Sequence, residues 1–151
     1  RALIELIKYT SPGFVFSVGL SPPVAAAATA AVDVMLREPW RAAALRRNGL
    51  SLLEKAKACG LDTGLSIGAS VVPVIVGNSP QTVMLSERLL ARGFNVVPAV
   101  FPGVAENQAR LRFFVTSEHT PDQIEAVIDA VAEELPKVRS GSSFVSTIAG
   151  R

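Results

Sequence analysis

One run of six residues, Leu111-Arg112-Phe113-Phe114-Val115-Thr116, constrains this chain more than any other segment. Alternation with a period of two sends Leu111, Phe113 and Val115 to one face of a strand and Arg112, Phe114 and Thr116 to the other. A Ser-Glu-His-Thr-Pro stretch follows directly and opens a helix. There Thr120 reads as the N-cap, Pro121 as the first helical residue, and Gln123 completes a capping box. Ile124, Val127, Ile128, Val131 and Leu135 then form one helical stripe, with Glu125, Asp129 and Glu133 kept off it. A sheet with one packed and one unpacked face is expected, with Arg112 on the unpacked face. A guanidinium held there on a rigid element suits a carboxylate, because its planar fork of donors can engage both oxygens. An ordinary solvated strand arginine is the alternative reading.

Upstream, Arg1 to Tyr9 repeats like a helix, and Thr10-Ser11-Pro12-Gly13 is turn chemistry. Phe14 to Val18 is short and β-prone. Ser21 and Pro22 then open a helix to Arg37, with Val24, Ala28, Ala31 and Met35 on one stripe. A second helix is expected from about Trp40 to Cys59, with Leu45, Leu52 and Ala56 inward and Gly60 as the closing residue. Gly49 interrupts its pattern. Leu61 to Ala69 reads as a loop or weak strand, and Val71 to Val76 as a strand pushed to an edge by Pro73. A helix from Pro80 to Arg92 ends at Gly93, a strand spans Phe94 to Val100, and the Arg112 strand covers Leu111 to Ser117. Pro136 is expected to end the last helix, and Ser140 to Ser143 resembles a linker. The order strand, helix, strand, strand, helix makes a small α/β fold, one sheet covered on one face, with the two earlier helices as a long connector.

The 151 residues are 49% hydrophobic and 19% charged, which fits a folded domain rather than a disordered one. The net charge of +2 comes without a basic stripe, so nothing calls for nucleic acid. One cysteine, Cys59, and one histidine, His119, rule out an intrachain disulfide and a Cys/His metal cage, and no metal site is expected. A lone cysteine suits a reducing compartment, and a cytoplasmic location is expected. No transmembrane span or signal peptide is legible. Walker, GxGxxG, HExxH and GxSxG motifs are absent. Lys8, Lys55, Lys57 and Lys137 all fall on polar helical positions, which does not suit a nucleophilic lysine. A chain that begins with Arg1 and ends in a Ser/Gly-rich tail reads as a piece of a longer protein.

Several segments occur in a telling order. They are Phe16-Ser17-Val18-Gly19-Leu20-Ser21-Pro22-Pro23, Asn48, Val72-Pro73-Val74-Ile75-Val76-Gly77, Gly93, Phe101-Pro102-Gly103-Val104, Ala109-Arg110-Leu111-Arg112-Phe113 and His119-Thr120. Together they resemble the C-terminal part of the α-oxoamine synthases, pyridoxal-phosphate enzymes of the aspartate aminotransferase fold type, over roughly Leu3 to Leu135. The family includes 8-amino-7-oxononanoate synthase, glycine C-acetyltransferase, 5-aminolevulinate synthase and serine palmitoyltransferase.

The resemblance implies an acyltransferase that condenses an amino acid with an acyl thioester, on coenzyme A or an acyl-carrier protein, with loss of carbon dioxide. It implies that Arg112 binds the amino-acid carboxylate. It also implies that Ser17, Val18 and Gly19 reach the cofactor phosphate of a partner subunit in a homodimer. Val18 stands where the family has a threonine, so Ser17 or the backbone N–H groups of Val18 and Gly19 would substitute. The family's cofactor lysine, pyridine-nitrogen aspartate and stacking histidine lie upstream of the matched segment, so no catalytic residue is expected here and the piece alone should be inactive.

In these terms residues 1–20 end the large domain at the dimer interface, and 21–60 are connecting helices. Residues 61–136 form the C-terminal α/β small domain, a mostly antiparallel sheet with helices on one face, and 137–151 a flexible tail or linker. Two other readings stay open: a catalytically inactive partner subunit of such a synthase, and a small α/β ligand-binding or interaction domain.

Overall fold

Three strands pair antiparallel in the order β1-β3-β2, where β1 is Val71–Gly77, β2 is Val97–Ala99 and β3 is Ala109–Phe114. The helices are α1 (Ala2–Thr10), α2 (Pro12–Val15), α3 (Pro22–Arg37), α4 (Trp40–Ala58), α5 (Ser79–Ala91) and α6 (Pro121–Ile148). The computed structural model describes residues 1–148, and side chains through residue 140. The chain divides into two units, meeting at Pro39 and Trp40.

In the second unit the alternation of β1 and β3 settles the layers. Val72, Val74 and Val76 of β1 and Leu111 and Phe113 of β3 are buried, as is Val115 just beyond. They pack with Leu52 and Ala56 of α4, Leu85 and Leu89 of α5, and Ile124, Ile128, Val131 and Leu135 of α6. All three helices therefore contribute to one core on one face of the sheet; α5 and α6 do so as the sequence patterns predict, whereas α4, expected as one of the connecting helices of residues 21–60, belongs to the second unit and buries Leu52, Leu53 and Ala56 in that core. Cys59 packs half-buried against this core, the expected place for an inert thiol.

Local chemistry ends α4 and α5 where the sequence suggests. Gly60 and Gly93 both take positive φ, of 70° and 90°, just past the ends of α4 and α5. At each, two bonds close the helix end: Leu61 N–H to Ala56 and Gly60 N–H to Lys57, then Phe94 N–H to Leu89 and Gly93 N–H to Leu90. This pattern satisfies carbonyls that would otherwise be orphaned, and it needs a residue that tolerates the left-handed region. At the start of α6 the Thr120–Gln123 capping box forms in both directions, at 3.0 and 3.3 Å.

Four expectations are corrected. Phe14 to Val18 is not a strand. Pro12 presets the first turn of the short helix α2 instead. The strand expected over Phe94 to Val100 is limited to Val97–Ala99, because Gly93 and Phe94 are used to terminate α5. The Arg112 strand begins earlier and ends earlier than Leu111 to Ser117, at Ala109 and Phe114. Beyond it, the Val115 N–H bonds to Ser70 and the Thr116 carbonyl turns to a side chain of α4.

Finally, Pro136 does not end the last helix, which runs on to Ile148. A proline inside a helix forfeits one hydrogen bond and usually costs about 3 kcal/mol. Here its flanks are held from outside the helix, by burial of Leu135 and Val138 and by ion pairs at Glu133 and Glu134. The proposed linker from Ser140 to Ser143 thus falls within the helical backbone, and residues 149–151 of the proposed tail lie outside the described residues.

Gly49 explains why α4 is continuous through a helix-weakening residue. A Cβ there would stand 2.4 Å from the Gly68 carbonyl oxygen and 2.5 Å from that of Ala69. The glycine admits the backbone of the loop before β1 against the helix. Glu134 is the one mostly covered carboxylate of the α5–α6 contact, 11% exposed, and it meets Arg88 at 3.0 Å, Arg92 at 3.4 Å and Lys137 at 2.7 Å. The bond from Lys137, then that from Arg88, holds its carboxyl below the ordinary value of 4.5.

Gly49→Ala should destabilise the protein by about 1–3 kcal/mol in urea unfolding, because backbone rather than a flexible side chain must yield. Because the native pKa of Glu134 is depressed, its contribution is complete above pH 4.5 and fades as pH falls toward the lowered value. Wild type and Glu134→Gln should differ in melting temperature at pH 7, and the gap should narrow below pH 4.5.

Candidate functional site

Arg112 occupies the middle of the central strand, with Pro73 of β1 and Val97 of β2 as its register partners. Directly paired residues bring their Cβ atoms to roughly 4.5–5.5 Å. Its stem is therefore flanked by apolar side chains on both sides. Two residues on, Phe114 shares the face, with the Arg112 Cζ 5.4 Å from the ring centroid. Two residues before, Arg110 is turned back along its own strand: its Nε donates to the Gln108 carbonyl at 2.9 Å and its Nη2 to Gln108 Oε1 at 3.4 Å. Among the described residues the Arg112 guanidinium makes no hydrogen bond or ion pair, so its donors are available to an anion. The same face carries exposed Val71, Val97 and Phe114 and half-buried Pro73 and Ile75. This is the setting in which a planar cation engages a carboxylate edge-on.

Ser17, Val18 and Gly19 lie in the first unit, between α2 and α3. The Ser17 hydroxyl donates to the Phe14 carbonyl at 2.8 Å, so its proton is spent locally. Val18 is 94% exposed, and nothing lies within 4 Å of a Cβ placed on Gly19. The N–H groups of Val18, Gly19 and Leu20 make no bond among the described residues. An oxyanion would fit these main-chain donors better than the Ser17 side chain. The start of α3 adds little, since Pro22 and Pro23 supply no N–H.

The loop that follows the Arg112 strand is held by a residue whose role the sequence patterns did not reveal. Asn48, buried on α4, donates through Nδ2 to the Thr116 carbonyl at 3.0 Å and the His119 carbonyl at 2.8 Å. Its signal was present: Asn48 stands four residues before Leu52, a polar side chain on the apolar stripe. His119 closes the same turn, its Nδ1 accepting from the Thr116 N–H at 3.0 Å, which assigns the ring proton to Nε2. Arg41 meets Glu118 at 2.6 Å from the same helix. His119 thus acts as a loop anchor, in keeping with its place before the helix cap.

Other chemistry is sparse. A cleft of about 370 Å³ opens between Leu52, the Gly93 to Val96 segment, His119 and Ile124. Of its polar lining groups, His119 and Gln123 are engaged with Thr116 and Thr120, and Asn95 also borders it. Lys8, Lys55 and Lys137 are paired with Glu5, Asp129 and Glu134. The bond to Asp129 raises the pKa of Lys55, the opposite of what a nucleophilic amine needs. Among the described residues no cluster could hold a metal ion, and no helix is long and apolar enough to cross a membrane.

The chain is similar to known proteins. The family model for aminotransferase class I and II matches residues 1–131. An 8-amino-7-oxononanoate synthase of Symbiobacterium thermophilum is 38% identical over 133 residues, covering 88% of this chain and 34% of that protein. A 4-hydroxy-2,2'-bipyrrole-5-methanol synthase of Serratia sp. is 36% identical over 136 residues, covering 88% of this chain and 21% of that protein. Among solved structures, a serine palmitoyltransferase from S. paucimobilis with bound PLP-myriocin superposes with a TM-score of 0.80 at 25% identity, over 93% of this chain and 35% of that one. The chain therefore spans about a fifth to a third of the length of these relatives.

Replacing Asn48 by Ala leaves the Thr116 and His119 carbonyls without their donor. It should cost about 1–3 kcal/mol of stability, read by denaturant unfolding. Amide exchange should rise first between Thr116 and Thr120.

Proposed function

The chain belongs to the aminotransferase class I and II family, and from that premise we propose that it forms the C-terminal part of a pyridoxal-phosphate-dependent α-oxoamine synthase. The parent enzyme condenses an amino acid with an acyl thioester, on coenzyme A or a carrier protein, and releases carbon dioxide. The observation that carries this reading is the Arg112 guanidinium, central on the sheet, uncommitted, and flanked by Pro73 and Val97.

When bound, pyridoxal phosphate supplies an electron sink for the carbanion that forms at the amino-acid α-carbon. The part of this chain is to bind and orient. Arg112 takes the carboxylate through two parallel charge-assisted bonds, which fixes the substrate in rotation as well as position. Asn48 and His119 hold the turn after β3, and so hold the end of the strand that carries Arg112. The main-chain N–H groups of Val18 and Gly19 suit the cofactor phosphate of a second subunit.

A homodimer is further supported by the first unit, in which no residue is buried and Leu3, Ile4, Phe14, Phe16 and Leu20 are exposed. A surface of that kind calls for cover by more protein. The lysine that carries the cofactor belongs, in this reading, to the upstream part of the parent.

The test uses the full-length parent. Arg112→Lys and Arg112→Ala should raise the amino-acid KM roughly tenfold or more, the effect of losing a bond to a charged group. The visible absorbance of the bound cofactor should not change. An unchanged KM would return Arg112 to the role of a surface arginine. A parent that takes up no cofactor would instead be an inactive partner subunit.

A further inference from the structure

Phe114 is a large aromatic side chain left 51% exposed on the open face of the sheet, while its neighbour Phe113 serves the core. Phe114 also borders the cleft described above. Its ring lies 5.4 Å from the Arg112 Cζ, and the guanidinium makes no hydrogen bond or ion pair among the described residues. The other positions around Arg112 offer no competing partner. Pro73 and Val97 are apolar, and Arg110 is tied to Gln108.

We propose that Phe114 is a positioning residue for the anion site, holding the Arg112 guanidinium over its ring so that the edge of the fork faces the substrate carboxylate. The inference rests on the reading of Arg112 given above. A guanidinium can stack on an aromatic ring through its flat face, whereas a carboxylate binds in its plane. The two interactions use different parts of one group and do not compete. A flexible arginine must otherwise lose side-chain freedom when it binds, and a ring already in contact removes part of that loss beforehand. The ring is itself seated beside Val71, its register partner on β1.

The experiment compares Phe114→Leu and Phe114→Tyr in the full-length parent. Leu keeps apolar bulk and removes the π face, while Tyr keeps both. Phe114→Leu should raise the amino-acid KM roughly two- to fivefold, the range for an exposed cation–π contact. The kcat, the acyl-thioester KM and the cofactor absorbance should stay unchanged, and Tyr should restore the wild-type KM. A wild-type KM for Phe114→Leu, or equal defects in Leu and Tyr, would overturn the proposal.

A loss of melting temperature or of assembly without a change in KM would make Phe114 a covered interface residue, and this too overturns it. Arg112→Lys, assayed beside them, separates the two levels. If it leaves the KM unchanged, the carboxylate site itself is wrong. If it raises the KM while Phe114→Leu does not, only the role of Phe114 fails.

Discussion

The pleat of β3 is the constraint on which the rest of the second unit depends. Its buried side chains, Leu111 and Phe113, sit under α4, α5 and α6, and this burial decides which way every second residue points. A slip of one residue would move Arg112 into the core and expose Leu111 and Phe113. Both outcomes are prohibitive, since burying an unpaired cation costs far more than a single side chain recovers. The hydrophobic core and the open position of the Arg112 guanidinium are therefore two consequences of one register. The pairing of β3 with a strand on each side fixes that register from both edges.

The strand is also anchored at its far end. Asn48 draws the Thr116 and His119 carbonyls onto α4, while Gly49, the next residue, lets the loop before β1 approach the same helix. Two successive residues of one helix thus seat the segments leading into β1 and out of β3. The paired strands of the site are referenced to a common rigid element. Such support suits the bidentate contact proposed for Arg112, which would tolerate little angular error.

The first unit has a different character. It has helices but no buried residue, and its apolar side chains face outward. Helices of this length gain most of their stability from packing, not from propensity. Its stability must come from protein beyond the described contacts, which accords with a chain that spans about a third of the serine palmitoyltransferase it resembles.

From Trp40 onward the sequence by itself determined the order of elements, the packed face of the sheet and the placement of Arg112 opposite it. Period-two alternation, the capping box and the glycine helix ends are local signals, and local sterics and hydrogen bonding are enough to realise them. It did not determine where strands stop, because a strand ends when its backbone groups find other partners: Thr116 turns to Asn48 and Val115 to Ser70. It did not predict a helix running through Pro136, since the compensating burial and ion pairs come from residues distant in the chain. The purpose of Gly49, the clamp by Asn48 and the contact between Phe114 and Arg112 likewise emerged only in three dimensions. Each depends on where a side chain or backbone arrives in space, and only the packing of the whole unit decides that.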